Sequence, residues 1–434
     1  MQPTRSRFLG GVVPAALALL AATAIALLGA ASSAAKPSDA ELAQSLTAEL
    51  AEQGIEVDNV SSWRPANGGK VYICKWRAEG FFSGEVPYLC AGRSKYNVKK
   101  QRWNLGGCHN RLEPQVPLLP AAGPHPAFGF NEDWHQNTGK VDELAAIGAN
   151  VARTGLFWDA VERNPGSFDW GAFDSLYSQM LSQGIRPLWV LYSAPCWAQA
   201  KKCKQGGHPS AEHFDEFAAF AAQAAQRYPE ALGLEVWNEP NYDIFWGGDA
   251  DPQSYGQMVA AVAPAIHSAN PEMSVVTAGL SPHINSEKDA MAYKKFLRRA
   301  YATGGPQLAD AIGAHPYPNR LPNQDYLGNV RTNLFRYESV MGQNGDADKP
   351  IWVTETGIST AGKEAFSPEQ QADGLARMYS QFRRIENVPV VIFHRFVDQP
   401  GSPREGERGY GVLSGDGGRK PAYCALAAVR EVSC

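Results

Sequence analysis

Leu234-Glu-Val-Trp-Asn-Glu-Pro240 is a short apolar run that stops on polar residues and is closed by a proline. Proline cannot donate to a strand ladder, so the strand pattern ends there, with a carboxylate at its tip. A second run, Ile351-Trp-Val-Thr-Glu-Thr-Gly357, has the same form. Working outward from these two, the candidate strands are Ala127–Asn131, Asn150–Thr154, Ile185–Leu191, Leu232–Asn238, Met273–Ala278, Ala311–His315, Ile351–Glu355 and Pro389–His394. Helical patterns lie between them. One is Phe214, Phe217, Ala218, Ala221, Ala225 and Tyr228. Another is Tyr255, Met258, Val259, Val262 and Ile266, where Pro264 predicts a kink. Eight strands alternating with helices over about 310 residues predict an α/β chain with a (β/α)8 TIM barrel at 127–434. A doubly wound sheet would want a Gly-rich phosphate loop after its first strand, and Phe128-Gly-Phe-Asn131 offers none.

The rest of the chain divides by composition. Arg5 and Arg7, an apolar stretch from Phe8 to Leu28 and small residues up to Ala35 make residues 1–35 a signal peptide, or an N-terminal anchor if it is uncleaved. Ser38 and Glu41 form a capping box before Leu42, Leu46 and Leu50 at helical spacing. From Lys70 to Trp103 the pattern turns strand-like and basic, with interleaved Tyr72, Trp76, Tyr88, Tyr96 and Trp103. Residues 36–112 therefore predict a small α+β domain, with a basic face that is either solvated or turned to an acidic polymer. Prolines 114, 117, 120, 124 and 126 make 113–126 a linker.

The net charge of −4 is +2 over 1–35, +2 over 36–118 and −8 beyond. An acidic main body is a poor phosphate binder, which argues against a nucleic-acid partner. Export makes the 7 cysteines readable as disulfides, and closeness in sequence pairs Cys196 with Cys203 and Cys424 with Cys434. Cys74, Cys90 and Cys108 cannot all pair among themselves. No zinc spacing or other metal motif is present, so neither a metal nor an organic cofactor is expected.

In such a barrel the chemistry sits at the C-terminal ends of the strands. Glu239 and Glu355 reach the same rim there, and two carboxylates across a cleft are what glycoside hydrolysis requires. The ordered set Arg153, Glu162-Arg-Asn-Pro-Gly-Ser-Phe-Asp-Trp170, Ser193-Ala-Pro-Cys-Trp197, Trp237-Asn-Glu-Pro240, His315-Pro-Tyr317 and Thr354-Glu-Thr-Gly357 resembles glycoside hydrolase clan A over roughly 125–400. Family 39 and family 5 are the nearest in flavour. Family 5 tends to carry a His after strand three, where this chain has Tyr192, which tilts the likeness towards family 39.

The resemblance implies a retaining glycosidase acting on a poly- or oligosaccharide, and the signal segment at 1–35 implies that it is exported from the cell. Glu239 would be the general acid/base and Glu355 the nucleophile. Asn238 would hold the sugar 2-OH, and Arg153 and Tyr317 would contact Glu355. His315 is either a substrate contact or a satisfied core histidine, and Arg153 alternatively neutralises Glu235. Asn131, Trp134 and His135 follow strand one towards the substrate. Trp158, Trp197 and Phe245 or Trp246 line sugar subsites or pack. His208 and His213 read as surface or helix-start residues. The clan often ends strand eight on a floor Trp; here Phe393 is expected at that place, with His394 following as a substrate contact. Sugar, linkage, oligomeric state and transglycosylation against hydrolysis are not written in these motifs. A non-catalytic sugar-binding or wall-associated barrel is the alternative.

Overall fold

A computed structural model of the chain describes residues 38–51, 59–66, 71–81, 87–97, 102–104 and 109–110, and 125–434 apart from 201–202, 284, 319–325 and 364. The signal segment, residues 111–124, which include most of the 113–126 linker, and Cys108 lie outside the described residues. Before the barrel come a helix at Asp39–Ala51 and antiparallel strands at Asn59–Ala66, Val71–Phe81, Pro87–Asn97, Arg102–Asn104 and His109–Asn110. Ser38 caps the helix through the reciprocal contact with Glu41 that its sequence predicts.

The barrel is built from β1 (Ala127–Asn131), β2 (Val151–Phe157), β3 (Arg186–Tyr192), β4 (Gly233–Val236), β5 (Val275–Thr277), β6 (Ile312–Ala314), β7 (Ile351–Thr356) and β8 (Val390–His394). All neighbours pair in parallel, in the order β5-β4-β3-β2-β1-β8-β7-β6. A single parallel bridge, Val276 to Ala311, joins β5 to β6 and completes the ring. The eight expected strands thus stand within a few residues of where the apolar runs put them.

Strand side chains alternate between the axis and the helices. Val151, Leu188, Val276, Ala311, Trp352, Val390 and Ile392 fill the axis as one apolar cluster. The opposite parity, including Phe128, Phe130, Trp189, Leu191 and Val391, packs outward into the larger core under the helices. Gly129 is required on β1 because a Cβ there would meet the Val151 carbonyl oxygen at 1.8 Å.

Two of the barrel's helices begin on side-chain caps. Asp251 accepts from the Gln253 and Ser254 N–H groups ahead of Pro252, and Ser367 and Gln370 form a capping box ahead of Pro368. The helix Pro252–Ala269 runs unbroken through Pro264. Cys196–Cys203 and Cys424–Cys434 are both disulfides. The second clips the end of the chain, where Arg430 donates to the Tyr379 hydroxyl at 2.6 Å and to the Gly148 carbonyl. No helix of the described residues is long and apolar enough to cross a membrane.

Candidate active site

The same alternation decides which side chains reach the mouth of the barrel. Asn131 continues the inward parity of Ala127 and Gly129, and Arg153 that of Val151. Glu235 continues Gly233, His315 continues Ala311 and Gly313, and His394 continues Val390 and Ile392. Strict alternation would point Glu355 outward, because Trp352 and Thr354 already face in. The β7–β8 register slips between Val353 and Thr356, so two residues of β7, Thr354 and Glu355, oppose the single Ile392 of β8. That bulge turns both Thr354 and Glu355 to the axis, a known use of an extra residue beside a site.

Arg153 is the hub. β2 continues past it to Phe157, so Arg153 stands inside the strand and not at its end, yet the stagger of the barrel sets it opposite Asn131. Its Nε and Nη2 donate to Glu235 at 2.6 and 3.2 Å. Its Nη1 donates to Glu355 Oε1 at 2.6 Å and to Asn131 Oδ1 at 2.8 Å, and Nη2 reaches Asn238 Oδ1 at 2.8 Å. Both roles read for Arg153 in the sequence are therefore present at once. Burial works against its charge, but Glu235 and Glu355 more than compensate.

Glu355 also accepts from the Tyr317 hydroxyl at 2.9 Å and the Asn131 amide at 3.0 Å. Burial alone would raise its carboxyl. The charges of His315 (when protonated) and Arg153 outweigh that and hold it well below the usual carboxylate range. Burial, then Glu355, push the Tyr317 phenol far up, so its O–H remains a donor.

Glu239 faces His315, whose Nδ1 lies 2.8 Å from Oε1. The loop that carries it is strained: Trp237 and Glu239 both have left-handed backbone, φ 77° and 42°. Such residues cost about 1–3 kcal/mol each and persist where the surroundings over-determine them. Here the Trp237 N–H is held by Leu191 O at 3.1 Å and the Glu239 N–H by Gly279 O at 3.0 Å. His315 is 1% exposed and fits only because residue 279 is glycine: a Cβ there would stand 2.1 Å from the imidazole.

The remaining expected residues divide. His394 reaches the site, accepting from the Asn131 amide and bonding Glu407 Oε2 at 2.8 Å. Phe393 does not. It faces the helices, packed on Phe128 and Phe130, so the inward end of β8 belongs to His394 and the floor position expected of Phe393 is not its own. Trp197 gives its indole N–H to Glu162 O and meets Trp158 and His213 edge-on, with none of these contacts to the carboxylates. Trp134, Trp158 and Trp246 are buried core. His135 stacks near Trp189, and His208 stacks on Trp246 at 4.0 Å, half-buried and not a surface residue. His213 occupies the N-cap position of the helix Phe214–Arg227 without a side-chain capping bond.

Glu235, Gly279 and Thr354 are the residues the motifs did not single out for the site. Inward parity with the strand-end residues was the available signal for Glu235 and Thr354. Gly279 left none, because its need for a missing Cβ arises from His315, thirty-six positions away.

Glu239, His315 and Glu355 are also the group of metal-type donors that converges among the described residues, one atom from each within 4.8 Å of the others. Their closeness is already accounted for by Arg153, Tyr317 and the Glu239–His315 hydrogen bond.

No protein-family model matches the chain, nor does any curated protein sequence. Solved structures do match. A family 39 glycoside hydrolase from Bacteroides cellulosilyticus superposes with TM-score 0.58 at 22% identity, over 83% of this chain and 74% of its own. A glucosidase from Croceicoccus marinus gives 0.55 at 16% identity, over 72% and 68%. A GH5_18 protein of Bifidobacterium longum subsp. longum gives 0.52 at 13% identity, over 71% and 78%. The chain therefore has the parallel eight-stranded barrel of family 39 and family 5 glycoside hydrolases, the two groups its ordered motifs resemble.

Proposed function

We propose that the chain is a secreted glycoside hydrolase that cleaves O-glycosidic bonds of a poly- or oligosaccharide with retention of configuration. The observation that carries this is the pair of carboxylates on one rim. An oxygen of Glu239 lies within 4.8 Å of one of Glu355. Retaining pairs stand about 5–5.5 Å apart and inverting pairs about 6.5–9.5 Å, since the latter leave room for a water.

The roles follow from surroundings. Glu355, held ionised by Arg153 and Tyr317, attacks the anomeric carbon. Glu239 gives its proton to the leaving oxygen, then takes one from the water that releases the glycosyl–enzyme ester. Asn238, oriented by Arg153, offers its amide to a sugar hydroxyl. Asn131, Tyr317 and His394 close the floor around Glu355. Likeness to a family 39 glycoside hydrolase and to a glucosidase supports the class. The two disulfides and the signal-like residues 1–35 support export. Residues 36–112 are read as a separate module joined through 113–126.

The second reading is a non-catalytic sugar-binding barrel, motivated by His394 where the clan often has an aromatic floor. One experiment separates the two. The mature protein is screened on aryl glycosides and a glycan library, with product configuration followed by NMR. Turnover with retention that is abolished by Glu355→Gln supports the enzyme. Binding without turnover, or inversion, rejects it. Transglycosylation would show as acceptor products at high acceptor concentration.

A further inference from the structure

Glu235 lies one turn of strand parity below the cleft and is 0% exposed. Every partner it has is a donor. Arg153 reaches both oxygens, the Gly279 N–H reaches Oε1 at 2.9 Å, and the Thr354 hydroxyl stands 3.1 Å from the same oxygen. An ionised carboxylate only accepts, and the two-point contact with the Arg153 guanidinium makes Glu235 a carboxylate to which the Thr354 hydroxyl can donate.

Thr354 has one hydroxyl proton and two neighbours, Glu235 Oε1 and His315 Nε2, each at 3.1 Å. If the proton pointed to His315, lone pairs of Thr354 and Glu235 would face each other in a buried site. The proton therefore goes to Glu235, and the threonine oxygen accepts from His315 Nε2–H. In a neutral imidazole one nitrogen donates and the other accepts. His315 Nδ1 is then the acceptor, and it faces Glu239 Oε1 at 2.8 Å. With the ring neutral, the proton in that contact is Glu239's; a doubly protonated ring would instead donate it to a Glu239 carboxylate.

We propose that Glu235 is a positioning residue that fixes the direction of a hydrogen-bond chain, Glu239 to His315 to Thr354 to Glu235, so that the free protein holds Glu239 as the carboxyl bearing the proton. A neutral His315 lends Glu355 no charge, and through Arg153 the same buried carboxylate orients the guanidinium that keeps Glu355 ionised. One group out of reach of substrate thus assigns opposite states to the two carboxyls of the cleft. When Glu239 passes its proton to a leaving oxygen, its own oxygen is left facing the Nδ1 lone pair, which favours recovery of a proton from water in the second half-reaction. The catalytic meaning of the chain rests on the reading of Glu239 as acid/base. The His315 tautomer does not.

The test is a long-range 1H–15N spectrum of the full chain labelled with 15N-histidine near neutral pH, with His315 assigned by its loss in His315→Asn. A pyridine-type Nδ1 and a pyrrole-type Nε2 are expected. Thr354→Val removes the acceptor and moves His315 to the Nδ1–H form, and Thr354→Ser restores the original spectrum. An Nδ1–H tautomer or a doubly protonated ring in the unmodified protein overturns the proposal, as does a Thr354→Val spectrum identical to it. On aryl glycosides, Thr354→Val should lose roughly tenfold or more with poor leaving groups and little with dinitrophenyl ones. Equal loss on both means a merely structural threonine. A chain that cleaves no glycoside sinks the glycosidase reading while the tautomer is still measured.

Discussion

The inner face of the barrel has two levels that share the same strands and the same side-chain period, yet obey different rules. Towards the strand N-termini, Val151, Leu188, Val276, Ala311, Trp352, Val390 and Ile392 make an apolar plug. Two or four residues further on, the parity continues as Asn131, Arg153, Glu235, Thr354, His315 and His394, a buried polar network. The lower level is held by area removed from water and tolerates shape-conserving change. The upper one is held by mutual satisfaction, so the loss of one partner leaves the others buried and unpaired. Stability should fail gradually below and activity abruptly above.

The largest effect expected is in the upper level. Glu355→Gln should abolish turnover by more than the roughly 10²–10⁴-fold that general acid–base catalysis supplies, with the fold intact by circular dichroism. Wild-type turnover in this variant would break the comparison at its centre. Glu239→Ala should cost roughly 10²–10⁴-fold on poor leaving groups but little on activated ones, with azide restoring turnover as the glycosyl azide.

A matched pair tests the two levels directly. Arg153→Met strands Glu235 and Glu355 without their cation and should cost about 3–5 kcal/mol in urea unfolding together with activity. Leu188→Ala should cost about 2–5 kcal/mol and leave kcat nearly unchanged, because its cavity opens below the site. Equal kinetic damage from both would erase the distinction. Gly279→Ala is subtler: its methyl meets His315, so about 1–3 kcal/mol of overpacking should accompany a misplaced Glu239.

The pH dependence carries a sign. The folded state holds the Glu355 carboxyl down, so its contribution to stability is present above the ordinary carboxylate range and is lost as pH falls through the lowered value. Glu355→Gln should therefore flatten the acid limb of the stability–pH curve, measured by thermal unfolding across that range. An unchanged limb would mean that other carboxylates dominate it.

Much of this architecture is legible in the chain itself. Apolar runs of strand length, each followed by polar residues, place eight strands to within a few positions, because burial on both faces demands such runs. Glu239 and Glu355 stand out because each closes a run. Local pattern fails where one residue of register matters. Phe393 and His394 are adjacent, and only the β1–β8 pairing says which faces in. The aromatic residues near the loops could not be sorted between packing and cleft, since Trp is suited to both.

Sequence alone, then, determined the barrel, the order of its strands and the rim that carries two carboxylates, since these follow from local hydrophobic pattern and chain order. Tertiary structure decided the rest. The bulge in β7 turned Thr354 and Glu355 inward together. Barrel closure brought Arg153 between Glu235 and Glu355, 82 and 202 positions away. A missing Cβ at Gly279 admitted His315. Each depends on the packing of segments distant in the chain, and no local pattern encodes a distance between them.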